Sequence, residues 1–216
     1  MEDLIMAALG GDEKRVGQLL AGGVDVNHAD GNGWTALIGA AARGHDGVIE
    51  RLLIAGADVE RADVKGLTAL MRAAEGGHIA IADRLLAAKA KTDHVDNKGK
   101  TALMRAAENR RVAMVEHLVK YGANVNHADK RGKTALMRAA LGGDGTTVDR
   151  LLTAGADVSQ ADANGWAALI CAAAGEAAVV KRLIDAGANT RHAAKDGTTA
   201  RKRAAAAGRT NVVELL

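Results

Sequence analysis

The side chains of this sequence that are equipped for chemistry are a recurring histidine, one cysteine, a row of arginines and two tryptophans. His28, His94 and His127 recur at one position ahead of an aspartate, and His192 aligns with them. Histidines repeated in this way could ligate a metal, but neighbouring helices pack about 8–10 Å apart. Ligand-to-metal distances are roughly 2.0–2.1 Å, so adjacent copies cannot share one ion. Arg61 and Gln160 also stand at this position, which therefore reads as one that tolerates polar residues. Cys171 has no histidine near it in sequence and falls in an alanine-rich stretch where a small residue fits. There is no P-loop, no GxGxxG opening a helix, no HExxH and no GxSxG. No enzyme, cofactor or metal site is expected.

Arginine is more informative. Gly39, Arg72, Arg105, Arg138, Cys171 and Arg203 form one row of equivalent positions. Glu75 and Glu108 stand three residues after Arg72 and Arg105, at helical pairing distance, whereas Arg138 has Leu141 there and so lacks this partner. A second row holds Trp34, Leu67, Lys100, Lys133, Trp166 and Thr198, flanked by Lys65, Lys98, Lys130 and Arg131. Exposed Trp and Arg anchor protein interfaces. Each Trp has two readings, as an anchor or as packing against the neighbouring turn.

The elements that carry these rows repeat. DGNGWTAL from Asp30, DVKGLTAL from Asp63, DNKGKTAL from Asp96, DKRGKTAL from Asp129 and DANGWAAL from Asp162 are 33 residues apart. A sixth copy, KDGTTA from Lys195, follows with one residue missing near Gly175. In each copy Asp and Gly mark a type I turn. Thr35, Thr68, Thr101 and Thr134 then stand where a helix N-cap is wanted, with Ala167 replacing the fifth. A short alanine-rich helix follows, then a break at Gly44, Gly77, Arg110, Gly143 and Gly175. The second helix spaces its apolar residues three and four apart and ends at a C′ glycine such as Gly56 or Gly122, with Lys89 in that place in one copy. Composition agrees: 48% of residues are apolar, yet there is no Phe or Pro, which suits thin, closely packed helices.

Turn, helix, helix at this period resembles the ankyrin-repeat family across essentially the whole chain. The family's TPLH stands here as TALM or TALI, without the Pro and the His. The resemblance implies an all-α ankyrin-repeat solenoid of about seven helix pairs joined by β-turn/hairpin loops. Residues 1–29 read as the N-terminal cap, 30–62, 63–95, 96–128, 129–161 and 162–193 as five repeats, and 194–216 as the C-terminal cap. In such proteins the arginine row looks into a concave groove and the turn row projects as fingers beside it. Residues 1–60 carry four basic and ten acidic side chains, whereas residues 96–140 carry ten basic and four acidic, so the array is dipolar. The expected function is a protein-interaction scaffold whose partner presents an acidic patch to Arg72, Arg105, Arg138, Lys65, Lys98, Lys100, Arg131 and Lys133, with Trp34 and Trp166 as anchors. The alternative is a sensor of a phosphate-bearing ligand, a nucleotide or oligonucleotide, with a base stacked on Trp34 near Lys65. No run approaches the roughly 18 apolar residues of a membrane span. The opening Met1-Glu2-Asp3-Leu4 lacks the basic start of a secretion signal. With a single cysteine, these features point to a cytoplasmic or otherwise intracellular protein, and the resemblance implies an array that is monomeric on its own.

Overall fold

The computed structural model describes residues 2–216 and divides the chain into two compact units, the first ending at Ala102 and the second running from Leu103 to Leu216. The first holds α1 (Glu2–Leu9), α2 (Glu13–Ala21), α3 (Ala36–Arg43), α4 (Asp46–Ile54), α5 (Ala69–Gly76) and α6 (Ile79–Ala87). With α7 (Ala102–Glu108) begins the second, which continues through α8 (Val112–Lys120), α9 (Ala135–Gly142), α10 (Gly145–Thr153), α11 (Ala168–Ala172), α12 (Ala177–Asp185), α13 (Ala200–Ala206) and α14 (Thr210–Leu215). These are seven helix pairs among the described residues, and the architecture is the solenoid that the repeat implies.

Each first helix is started by its threonine. Thr35, Thr68 and Thr134 are extended, and their hydroxyls accept the N–H of Ile38, Met71 and Met137. Ala167 caps nothing, and its helix, α11, is the shortest among the described residues at five residues. Helices α3, α5 and α9 stop at Gly44, Gly77 and Gly143, all with φ between 71° and 83°. Second helices end in Schellman motifs. After α4, Gly56 N–H donates to Leu53 O and Ala57 N–H to Leu52 O, both at 3.0 Å.

Small residues let the first helices stack. Ala36, Ala40 and Ala41 are fully buried between α1 and α5, and Ala139 and Ala140 are buried where α9 meets α11. Leu37, Ile38, Ile49 and Leu52 fill the space between first and second helices in one repeat, and Leu70, Met71, Ile81 and Leu85 fill it in the next. On the outer helices, Arg84 binds Asp46 at 2.7 Å, and that hydrogen bond holds the Asp46 carboxyl below its ordinary range. The equivalent Arg182–Asp149 pair spans 2.8 Å in the second unit.

Fingers are joined backbone to backbone. Val64 N–H donates to Asn32 O at 2.9 Å and Asn97 N–H to Lys65 O at 3.0 Å in the first unit. Ala163 N–H reaches Arg131 O at 2.8 Å and Lys195 N–H reaches Asn164 O at 2.9 Å in the second. This approach requires glycine: a Cβ on Gly132 would lie 2.8 Å from Ala163 N, and its φ is +76°.

Two non-glycine residues sit in the left-handed region, Lys89 at φ 71° and Arg110 at φ 56°. Lys89 occupies the C′ position of α6, its N–H donating to Leu86 O at 3.0 Å. The left-handed conformation costs an L-residue roughly 1–2 kcal/mol, partly offset by glycine's extra freedom when unfolded. Lys89→Gly should therefore stabilise the protein by about 0.5–1 kcal/mol, measured as a higher urea midpoint; a lower midpoint would contradict this account.

Candidate partner-binding site

The site begins with the turn aspartate. In the first unit, Asp63 Oδ1 accepts the N–H of Lys65 at 2.8 Å and of Leu67 at 2.9 Å, fixing the finger. Its other oxygen accepts a hydrogen bond from Arg72 Nη2 at 2.7 Å. Arg72 Nη1 donates to Glu75 at 3.2 Å, and the guanidinium lies over the Trp34 ring, 4.9 Å from its centroid. Arg72 thus faces two carboxylates and an aromatic ring, and its charge is consumed within the protein. Trp34 is half-buried and packs on the next repeat's arginine. Lys65 and Lys98 are exposed and form no ion pair among the described residues. Lys100 is half-buried, and its N–H donates to Asp96 Oδ1 at 2.8 Å.

The second unit repeats the arrangement. Asp129 Oδ1 accepts the N–H of Arg131 at 2.8 Å and of Lys133 at 2.9 Å, and its Oδ2 accepts from Arg138. Arg138 Nη1 also donates to Glu108, one repeat earlier, at 3.2 Å. The expectation that Arg138 lacks an acidic partner is therefore corrected: with Leu141 in place of a glutamate, Glu108 of the preceding helix takes that role. Arg105 is half-buried on α7. Trp166 is half-buried beneath Arg203, whose guanidinium lies 4.6 Å from the ring centroid and also donates to Ile170 O. Lys130 and Arg131 are exposed, Lys133 is half-buried, and none of the three forms an ion pair among the described residues.

The buried Asp–Arg pair escaped the sequence reading, although its signal was available. Arg72 and Arg138 each follow their turn aspartate by nine residues, as Arg105 follows Asp96. Where that ninth residue is Gly39 or Cys171, the finger carries Trp34 or Trp166, and the ring packs on an arginine of the following repeat.

Two histidines bond to backbone carbonyls: His192 Nε2 donates to Gly165 O at 2.7 Å and His45 Nε2 to Leu9 O at 3.0 Å. Among the described residues, no group of three or more His, Cys, Asp or Glu is placed to hold a metal ion.

Two stability consequences are measurable. Removing Arg138 leaves Asp129, 4% exposed at its side chain, as an unpaired buried carboxylate. Arg138→Met should cost about 3 kcal/mol, whereas Lys130→Met should change stability by less than about 0.5 kcal/mol; equal effects in chemical denaturation would contradict the pairing. Cys171 is 5% exposed, and burial pushes its thiol up to about 11. At pH 8 a thiol reagent should label the native protein orders of magnitude more slowly than the urea-unfolded chain, as followed by mass spectrometry. Labelling at the unfolded rate would show that Cys171 is accessible.

Helix pairs with capped starts, glycine-closed ends and finger turns joined from one repeat to the next define a helical repeat protein. The chain belongs to the ankyrin-repeat family, matching its ankyrin repeats over residues 4–96, 81–162 and 136–216. It is similar to the ankyrin repeat domain of human ASB11, a crystal structure with 27% identity and a TM-score of 0.89, covering 98% of this chain and 96% of that one. No curated protein sequence matches the chain. Ankyrin repeats are generally protein–protein interaction modules, and the fold is typically a non-enzymatic scaffold. No helix among the described residues is long and apolar enough to cross a membrane.

Proposed function

We propose that this chain is a protein-binding scaffold for a partner with an acidic surface, engaged first by the finger cations and then by the helix face behind them. The observation that carries this is the division of labour among basic residues. Arg72 and Arg138 are neutralised by internal carboxylates. Among the described residues, Lys65 and Lys98 in one unit, and Lys130, Arg131 and Lys133 in the other, have no acidic partner, and they stand on turns closed by the aspartates. Exposed cations of this kind steer an acidic partner and raise its association rate more than its final affinity. The arginines and Trp34 and Trp166 hold the surface in shape, and Arg105 and Lys100 complete the basic row.

A phosphate-bearing ligand finds less support. A base stacked on Trp34 would have one ring face available, because Arg72 covers the other, and Arg72 itself is balanced by Asp63 and Glu75.

The test reverses the fingers and leaves the buried pairs intact. The variant Lys130→Glu, Arg131→Glu, Lys133→Glu should bind a fluorescein-labelled oligoglutamate peptide at least tenfold more weakly than the parent, with most of the change in the association rate at low salt. Unchanged binding would sink the acidic-partner reading. Oligothymidylate bound more tightly than the peptide, with a steep salt dependence, would favour the nucleic-acid alternative instead.

A further inference from the structure

Cys171 stands in the row that Arg72, Arg105 and Arg138 occupy in other repeats. Its short side chain leaves the space that those arginines fill, and a cavity of about 230 Å³ lies there in the second unit. Met137 and Cys171 form its apolar floor, both nearly fully buried. Leu141 forms a wall and is 55% exposed. Lys133 and the Glu108–Arg138 pair also line it. Beyond Leu141 and Gly142 lies a second cleft of about 440 Å³, bordered by Gly175, Glu176 and Arg209. It lies where the missing residue leaves α11 at five residues, against eight in α9.

We infer that this pair of clefts is the docking site for an extended segment of the partner that seats one aliphatic side chain against Leu141, Met137 and Cys171 and flanks it with Asp or Glu. The inference rests on the acidic-partner reading above and specifies its chemistry. The first cavity is smaller than the roughly 300–1,000 Å³ of small-molecule sites, so it suits a single side chain. The two clefts meet at Leu141 and Gly142, which suits a chain running from one to the other. Charge complementarity selects the flanks. Among the described residues Lys133 forms no ion pair, Lys130 and Arg131 are exposed on the same finger, and the lining carboxylate Glu108 is already bound to Arg138. In the equivalent places of two other repeats, Glu75 and Glu108 make the surface acidic, so Leu141 is the departure that creates an apolar seat.

The test uses a fluorescein-labelled peptide of alternating Glu and Ser with one central Leu, and the same peptide with Ala in its place. The parent should bind the Leu peptide at least tenfold more tightly, with methyl resonances of Met137 and Leu141 shifting on titration. Leu141→Glu should erase that preference; glutamate at this position is native to other repeats, so the fold is retained, and Leu141→Ser serves as a second variant. Equal binding of both peptides, each weakened by Lys133→Glu, overturns the aliphatic seat and leaves the acidic-partner reading standing. Binding of neither peptide overturns both. A dimer in sedimentation that Leu141→Glu disperses assigns the surface to a second copy of the chain and overturns the inference.

Discussion

A carboxylate removed from water must find donors, and in this protein that requirement sits at the base of the fingers. Asp63, Asp96, Asp129 and Asp162 are at most 8% exposed. An uncompensated charge at such a depth would be ruinous, so the surrounding chain is arranged around it. One oxygen takes two backbone N–H groups two and four residues on, which closes the turn and sets the path into the capping threonine. At Asp63 and Asp129 the other oxygen takes an arginine from the first turns of the following helix, tying finger to helix. The same aspartate that shapes the finger thereby removes the arginine from the pool of cations available to a partner.

Much of this was legible in the sequence because its causes are local and repeated. The period of 33 residues, the threonine caps, the left-handed glycines and the missing cap at Ala167 each follow from one residue type at one place. A single missing residue near Gly175 was visible in the sequence, whereas the early end of α11 at Ala172 was not. What stayed hidden was pairing between repeats. Nothing within the helix of Arg138 announces Glu108, because that partner lies 30 residues earlier and is reached only when helices stack. Trp34 presented the same difficulty: Arg72, the residue that lies over its ring, stands outside its own turn.

Buried small residues and exposed strain divide the remaining work. Ala40, Ala73, Ala106 and Ala139 of the first helices are fully buried and let neighbouring backbones come close. Their tight packing leaves the inner face shaped by the few residues that deviate, and Leu141 and Cys171 are the deviations in the second unit. Lys89 and Arg110 are deviations of another kind, holding left-handed turns without glycine, and Arg110 turns its guanidinium to the Gly142 carbonyl.

The backbone bonds between fingers also carry a direction. At Asn32, Lys65, Arg131 and Asn164 a carbonyl is offered to the N–H of the next repeat along the chain. Every such junction uses the same pair of groups, and neither belongs to a side chain. A duplicated repeat inserted at such a place would find an acceptor waiting upstream and offer one downstream, whatever its surface residues. The lineage of such a chain is therefore free to lengthen by whole copies while each copy's exposed positions diverge, and the scaffold's reach and its specificity can be inherited separately.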